Sequence, residues 1–569
     1  MAANDFIFGT LAGTDQRVAQ MRAQGQGVRH GYRLRPQAPR AGDSPTVLVT
    51  TATPQTIERV VCTVHEPQVE TIVLQHTDTD WDLLNWRYFQ TWQGALPARE
   101  SGTTVRYSIA AYPVGGGEPL AADGGLAGEG EIFSYLVGHP GAPSWAREAV
   151  IYQVFPDRFH PGSDRTWRSA QSLSDIYGGT LRGIVENLDY IADLGFNCIW
   201  LNPFFPDDTH HGYHATDYFS VEPRLGDMSD VRRLVVEAHA RGIRVLLDFV
   251  ANHWGSEHPT FQQARADRHS EYHDWYHWRA WPDSYKTFFG VQTLPQINVD
   301  HPAAREHLLR AAEFWLADVG FDGYRLDYAL GPSHDFWRAF RATAKEARPD
   351  AWIFGEVVET PPVQLSYEGR LDGTLDFLLM QALRNTFGFG TNGVAAFDAF
   401  LQAHEQFFPP HFSRPSFLDN HDVNRFLWLV NGDRRKLQLA ALCQFTLSGP
   451  PIVYYGTEVG LSQARDVVQG QRHVLEEARQ PMRWGTAQDA GLHRFYRKLI
   501  QFRRAHPALW QGQRRTLLVD DSNGVYVYER SDEQETIVVA LNLSDHQRRF
   551  KAKGLSFDLQ AWSGDVVAR

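Results

Sequence analysis

The sequence predicts an α/β protein in which a (β/α)8 TIM barrel lies between an N-terminal β-sandwich and a C-terminal antiparallel β-domain. Three observations lead to this prediction. At 569 residues the chain is too long for one hydrophobic core. Its middle part alternates short, wholly apolar runs with longer amphipathic segments, which is the pattern of repeated βα units. Both flanking parts instead carry short β-branched and aromatic runs, so we expect the sandwich at 1–140, the barrel at 141–510 and the β-domain at 511–569.

The N-terminal part contains runs that are typical of antiparallel strands. Each is rich in β-branched residues and is bounded by turn formers. The runs span 46–50, 58–62, 70–74 and 104–109. A stretch rich in Pro and Gly follows at 138–143, and because this composition interrupts regular structure it marks the boundary with the barrel.

Apolar runs in the middle of the chain predict the buried parallel strands of the barrel. They lie at 150–155, 198–202, 245–250, 324–326, 352–355, 375–379, 416–418 and 452–455. The segment 230–241 carries apolar residues at helical spacing, as expected for the outer ring of helices. The connection 254–297 is too long for a βα loop and predicts a small excursion domain after the third strand. Alternating strands return at 525–528 and 536–541.

Composition narrows the class of function. The formal charge of −12 argues against a nucleic-acid partner, and no apolar run reaches the roughly 18 residues of a membrane span. Cys62, Cys198 and Cys443 are too far apart for a disulfide framework or zinc site and are expected to be buried. The first 16 residues lack a secretory pattern, so we expect a cytoplasmic protein. Aromatic residues make up 13% of the chain, often beside acids and His, which suits sugar ligands.

Carboxylates stand at the ends of four predicted strands. The segments are 248–253 after the third strand, 323–327 at the fourth, 354–356 at the fifth and 417–422 at the seventh. In a barrel the loops that follow the strands build the pocket, so these side chains are expected to face one another. The sequence therefore predicts an acidic site at the C-terminal end of the barrel.

These four segments, in this order, resemble the four short sequence blocks of glycoside hydrolase family 13, the α-amylase family, over about residues 145 to 510. The resemblance implies a retaining α-glycoside hydrolase with Asp327 as nucleophile, Glu356 as acid/base and Asp422 as the acid that grips sugar hydroxyls and stabilises the transition state. The chemistry needs these residue types because one carboxylate attacks the anomeric carbon while a protonated carboxyl serves the leaving oxygen. A separation of about 5 Å leaves no room for water and forces the retaining route.

The same resemblance implies helpers around these acids. Arg325 lies two residues before the nucleophile on the same face of its strand and is expected to keep Asp327 ionised. Glu356 needs a raised pKa to donate a proton near neutral pH. Three residues are expected to contact the sugar and two to support the site: His253, His421 and Tyr213 in the first role, Asp248 and Asn252 in the second.

The barrel entry at 142–159 and the excursion at 270–298 are similar to those of neopullulanases, cyclomaltodextrinases and maltogenic amylases. This similarity implies α-1,4 cleavage of maltooligosaccharides in the cytoplasm, a glucan-binding role for the sandwich and a homodimer, with α-1,6 cleavage left open. Gln296, Leu330 and Val358 depart from the group's pattern, so the preference among maltodextrin, cyclodextrin and pullulan also stays open, as does transfer activity.

No cofactor is expected. Asn252 corresponds to a calcium ligand of many α-amylases, but the usual calcium loop is altered here at 160–164 and 178–180, so we expect no metal site and leave calcium open. The His residues within 210–214 and 269–277 stand among sugar-loop and aromatic residues and are not expected to bind a metal.

Two alternatives remain. The segment 479–484, RQPMRW, is similar to a motif of α-glucosidases and trehalose-forming isomerases, so an α-glucosidase, glucosyltransferase or isomerase on the same fold is the first. The second is a catalytically inactive, glycan-binding relative. Such a relative should lack one of the three acids, and all three are present.

Overall fold

The structure is a computed structural model that describes residues 18–19, 21–23, 25–123, 131–139, 141–470 and 472–569. The N-terminal stretch without a secretory pattern, and Pro140 in the boundary segment, lie outside these residues. The described part contains an eight-stranded parallel barrel flanked by two antiparallel β-structures, which confirms the predicted fold class. No helix among the described residues has the length and apolar character that a membrane crossing requires.

The sandwich before the barrel is built around one long strand. Its strands span Gly27–Arg29, Leu34–Arg35, Thr46–Ala52, Ile57–Glu66, Glu70–Asp82, Arg87–Ala95, Thr104–Pro113, Leu120–Ala121 and Phe133–Leu136. The strand Glu70–Asp82 joins both layers, because residues 70–74 pair with Ile57–Glu66 and residues 75–82 pair with Arg87–Ala95. Alternate side chains point inward and form a core that includes Val47, Trp92 and Ile109.

The barrel strands span Ile151–Val154, Cys198–Leu201, Arg244–Val250, Gly323–Asp327, Trp352–Gly355, Gly373–Thr374, Ser416–Phe417 and Pro451–Tyr454. Numbered along the chain as barrel strands one to eight, they hydrogen-bond in the order 6-5-4-3-2-1-8-7. A parallel bridge between Gly373 and Ser413, just before the seventh strand, closes the ring. Closure brings the C-terminal ends of all eight strands to one rim, where the predicted acids lie.

One predicted strand is wrong. The sixth barrel strand is Gly373–Thr374, whereas most of the predicted segment 375–379 belongs to the helix Phe377–Leu383. Asp376 caps this helix, because its side chain accepts a hydrogen bond from the Leu379 backbone N–H. The helix is buried on nearly all sides, and an apolar run of this kind has the same periodicity in a helix as in a buried strand.

Helices surround the barrel. Met228–Ala240, close to the predicted 230–241, begins at a capping box between Asp227 and Asp230 and buries Val231, Leu234, Val235 and Ala238. The other helices span Ser144–Glu148, Pro156–Phe159, Leu181–Glu186, Leu188–Leu194, Pro259–Ala266, Pro302–Phe314, His334–Ala347, Pro361–Leu365, Phe377–Leu383, Val394–Phe407, Phe426–Leu429, Arg434–Thr446, Ala490–Ala505 and Ala508–Gln511.

The excursion and the C-terminal part are small. Within 254–297 the chain forms the helix Pro259–Ala266 and a hairpin of Trp278–Ala280 and Ser284–Tyr285. The strands after the barrel span Gln513–Asp520, Val525–Ser531, Thr536–Asn542, Arg548–Ala552, Leu555–Leu559 and Ser563–Ala568. They pair antiparallel, as predicted. The three cysteines are buried and free.

Candidate active site

The predicted acids lie at one rim of the barrel. Asp248 is in the third strand, Asp327 ends the fourth, Glu356 directly follows the fifth, and Asp422 follows the seventh. The side chains of Asp327, Glu356 and Asp422 are 10%, 12% and 15% exposed. They can therefore be reached from the cleft, although most of their surface is buried. Strand register fixes part of this arrangement, because Asp248 pairs with Arg325 across neighbouring strands.

Arg325 joins three of the carboxylates. Its Nη1 donates to Asp248 Oδ1 at 2.7 Å and to Asp327 Oδ1 at 2.9 Å. Its Nη2 lies 2.9 Å from Glu356 Oε2 but is not aligned for a hydrogen bond. The guanidinium is fully buried and lies 5.1 Å from the centre of the Trp200 ring. One cation thus offsets the repulsion among several buried carboxylates.

The pKa values of the two central acids are coupled. Burial raises the pKa of Asp327, the Arg325 charge opposes this shift, and Glu356 adds to it. Burial also raises the pKa of Glu356, with Arg325 opposing and Asp422 adding. Because two neighbouring buried carboxylates cannot both ionise freely, the pair favours a state in which it holds one proton.

Asp422 is held by a residue that the site prediction missed. Arg479 donates from Nη2 to Asp422 Oδ1 at 3.0 Å and from Nε to the His421 carbonyl at 2.9 Å. Burial alone would raise the pKa of Asp422, but His421 and Arg479 lower it below its ordinary value. Arg479 is the first residue of the segment 479–484, whose pattern is similar to a motif of α-glucosidases and trehalose-forming isomerases. In the structure it holds Asp422 in place, although the two residues are 57 positions apart in the sequence.

His421 follows the seventh barrel strand and contacts Gln153 of the first strand. Gln153 Nε2 donates to His421 Nδ1 at 2.8 Å, so the imidazole proton is on Nε2, which is 2.7 Å from the Tyr213 hydroxyl and 3.1 Å from Asp422 Oδ2. Burial lowers the pKa of His421 to about 3, which keeps the ring neutral. Gln153, in the first barrel strand, is a second residue that sequence reasoning missed, because glutamine in a buried strand carries no catalytic pattern.

Tyr213 stacks on His421 at 5.5 Å with nearly parallel rings. Its hydroxyl donates to Asp248 Oδ2 at 2.9 Å and accepts from Asn202 Nδ2 at 2.9 Å. Trp200 Nε1 also donates to Asp248 Oδ2, at 3.0 Å. The structure therefore connects Tyr213, His421 and Asp248 in one hydrogen-bonded network beneath the acids.

Asn252 and His253 follow the third barrel strand, and their side chains contact each other. Asn252 Nδ2 and His253 Nδ1 are 2.9 Å apart, and within the described part of the chain His253 Nε2 has no aligned hydrogen-bond partner. Burial lowers the pKa of His253 to about 3. The ring is therefore neutral, and its Nε2 is out of contact with solvent.

Aromatic side chains border the side of the cleft next to Tyr328. Tyr328 follows Asp327 with a positive φ of 37°, a strained value for a residue with a side chain, and its backbone N–H donates to Glu356 Oε2 at 3.0 Å. Its ring lies 5.0 Å from that of Phe288 and 5.2 Å from that of Phe289. Phe288 also lies 4.7 Å from the His253 ring. Phe288 and Phe289 belong to the excursion, so this segment supplies part of the aromatic wall of the cleft.

The residues of the altered loop do not fit calcium. Asp164 pairs with Arg182 at 2.9 Å, and Thr180 caps a helix by accepting from the Gly183 N–H. These oxygens already have partners, and a nearby cation competes with a metal. Among the described residues Asp207, Asp208 and His214 have ligand atoms within 4.8 Å of one another, but Asp207 already accepts two backbone hydrogen bonds.

Comparison with known proteins agrees with this geometry. Residues 153–512 match the family model for the α-amylase catalytic domain. Over 426 residues the chain is 39% identical to α-amylase 2 of Dictyoglomus thermophilum, covering 75% of this chain and 74% of that protein. Over 435 residues it is 34% identical to neopullulanase 2 of Thermoactinomyces vulgaris, covering 72% of each. A solved cyclomaltodextrinase structure aligns with a TM-score of 0.68 at 29% identity over 92% of both chains. The resemblance stated from the four strand-end segments is confirmed.

Proposed function

Because the chain belongs to the α-amylase family of glycoside hydrolases, we propose that it cleaves α-1,4-glucosidic bonds of maltooligosaccharides or related α-glucans with retention of configuration. The observation that carries this proposal is the buried Arg325 guanidinium, which lies within 2.9 Å of both Asp327 and Glu356. Two carboxyls held this close suit double displacement at one anomeric carbon.

In the first step the Asp327 carboxylate attacks the anomeric carbon while Glu356 protonates the leaving oxygen. The division of roles follows from the hydrogen bonds. Asp327 receives an aligned, charge-assisted bond from Arg325, which favours its ionised form, so the shared proton resides on Glu356. Glu356 Oε2 accepts from the Tyr328 N–H, which leaves Oε1 to carry the proton into the cleft.

In the second step Glu356 is ionised and takes a proton from the water that attacks the glycosyl–enzyme ester. The water attacks from the face opposite Asp327, which is the face that the leaving oxygen vacated in the first step, so two inversions leave the product in the α configuration. Asp422 stays ionised beside Arg479 and accepts hydrogen bonds from sugar hydroxyls. Neutral His421 and His253 border the same sugar ring, and Tyr213 stacks under it.

The substrate assignment rests on the relatives and on the aromatic wall. Relatives named neopullulanase and cyclomaltodextrinase support short α-glucans, with α-1,6 cleavage as the secondary activity. Phe288, Phe289 and Tyr328 offer ring faces to the sugar on the leaving-group side. An α-glucosidase, glucosyltransferase or trehalose-forming isomerase remains the alternative within the fold. The contact between Arg479 and Asp422 accounts for part of the motif on which that alternative depends.

Further parts of the proposal concern conditions and partners. We propose that the enzyme needs no cofactor and no calcium, since Asp164 and Thr180 are engaged within the protein. We also propose a cytoplasmic location, which a relative named intracellular maltogenic amylase supports, and a homodimer. A partner subunit or a glucan bound by the sandwich has an exposed aromatic surface available at Trp86 and Tyr88, whose side chains flank Trp81.

The test is a product analysis after incubation with maltoheptaose, β-cyclodextrin, pullulan and maltose. Maltose and glucose from maltoheptaose, with panose from pullulan, support the proposal. Release of glucose from chain ends alone supports an α-glucosidase, and trehalose from maltose supports the isomerase. No product from any of the four, with pure folded enzyme, overturns the proposed function.

A further inference from the structure

A groove lies at the opposite end of the barrel from the acids. It has a volume of about 510 Å³ and is lined by Ala142, Ser144, Trp145, Arg147, Glu148, Trp510 and Gln511. The helix Ser144–Glu148 leads into the N-terminal end of the first barrel strand, and Ala508–Gln511 follows the last barrel helix. Since the acids are at the C-terminal rim, the groove is separate from the catalytic cleft.

Two tryptophans line this groove. Trp145 is fixed in place, because its Nε1 donates to the Asp350 carbonyl at 2.9 Å and its ring packs edge-on to Trp352 at 5.4 Å. The Arg244 guanidinium lies 4.5 Å from the centre of the Trp145 ring. Trp510 is half-buried and packs against the barrel core. Rigid, partly exposed indole rings give a ligand apolar contact at little cost in side-chain entropy.

The polar side chains of the groove are available to a ligand. Ser144, Arg147, Glu148 and Gln511 are exposed, and within the described residues their side chains have no hydrogen-bond or ion-pair partner. They include donors and acceptors, and the charges of Arg147 and Glu148 cancel. This combination suits a neutral polyhydroxylated ligand with apolar faces better than an anion or an apolar ligand.

We propose that this groove is a second saccharide-binding site, which holds a short α-glucan segment between Trp145 and Trp510. The volume is within the range of about 300 to 1,000 Å³ that is usual for small-ligand sites. The choice of an α-glucan rests on the proposed function, whereas the saccharide chemistry rests on the groove itself. Binding here would tether a long glucan to the enzyme without contact with the reacting bond.

The experiment is a calorimetric titration of the Glu356→Gln variant with maltoheptaose, so that the ligand is not consumed. Two classes of sites are expected. In the same background Trp510→Ala should weaken one class by about tenfold or more and leave the cleft class unchanged. Phe407→Ala, which removes an exposed aromatic side chain that lines neither the groove nor the sandwich surface, is the matched control and should leave both groove and cleft binding unchanged.

Because Trp510 packs against the core, Arg147→Ala with Gln511→Ala serves as a second variant that changes exposed side chains only. It should weaken the same class as Trp510→Ala. A single class of sites in Glu356→Gln overturns the proposal, and so does a titration in which neither groove variant weakens any class. The two failures can be told apart, because the proposed function fails when the wild-type enzyme releases no product, whatever number of sites the titration shows.

Discussion

Replacing Arg479 with Met is the sharpest test of how the site is positioned. The change keeps an unbranched apolar stem in place of the arginine methylenes but removes the donors to Asp422 Oδ1 at 3.0 Å and to the His421 carbonyl at 2.9 Å. A hydrogen bond to a charged group contributes about 1.5–3 kcal/mol, so kcat/KM on maltotriose should fall roughly 10- to 150-fold. The fall should appear mainly in kcat if Asp422 grips the transition state more tightly than the substrate.

The pH profile separates this effect from general damage. Asp422 must be ionised, and Arg479 lowers its pKa, so activity is lost as pH falls through that pKa. Removing Arg479 raises the pKa, and the acid limb of kcat/KM should move to higher pH. Arg479→Lys restores the charge without the fork of donors and should recover part of the activity. Arg483→Met changes an exposed arginine nearby and is the control. An unmoved acid limb together with wild-type kcat would refute the positioning role.

The remaining predictions concern the acids, a close contact and calcium. Asp327→Asn and Glu356→Gln should each lower kcat by about three decades, or about 4 kcal/mol, measured on maltotriose, while melting temperatures stay near that of the wild type. Proton NMR of the fresh wild-type products should show the α anomer first, as retention requires. Gly331→Ala should destabilise the fold by about 1–3 kcal/mol in urea unfolding, because the added Cβ would lie 1.9 Å from Asn252 Oδ1. Treatment with EDTA should leave kcat and the melting temperature unchanged.

Each of these outcomes can fail in a defined way. Wild-type turnover in either acid variant would contradict the assignment of roles. A β anomer as the first product would indicate single displacement instead of double displacement. An unchanged unfolding midpoint for Gly331→Ala would mean that Asn252 moves without cost. Loss of activity in EDTA that calcium restores would show that a metal site exists despite the pairing of Asp164 with Arg182.

Most of the barrel could be predicted because seven of its strands are short apolar runs that also sit between amphipathic helices. The sixth could not, since the run at 375–379 is apolar on all sides and has no period that separates helix from strand. The Asp376 cap and the close approach of Gly373 to the Ser413 carbonyl decide the matter in three dimensions. The strand that joins both layers of the sandwich was likewise predicted only over its first five residues, 70–74.

The sequence by itself determined the kinds and the order of the acids, because each stands within or a few residues after an apolar run and a closed barrel brings all such strand ends to one rim. Only the tertiary structure decided what holds them. Gln153 and His421 are 268 residues apart in the sequence, and Arg479 and Asp422 are 57 residues apart, so no local pattern predicts either hydrogen bond. The positive φ of Tyr328 and its contact with Phe288 of the excursion likewise depend on segments that are distant in sequence. Local sequence sets which groups are present, whereas packing between distant segments sets their protonation states and their positions in the cleft.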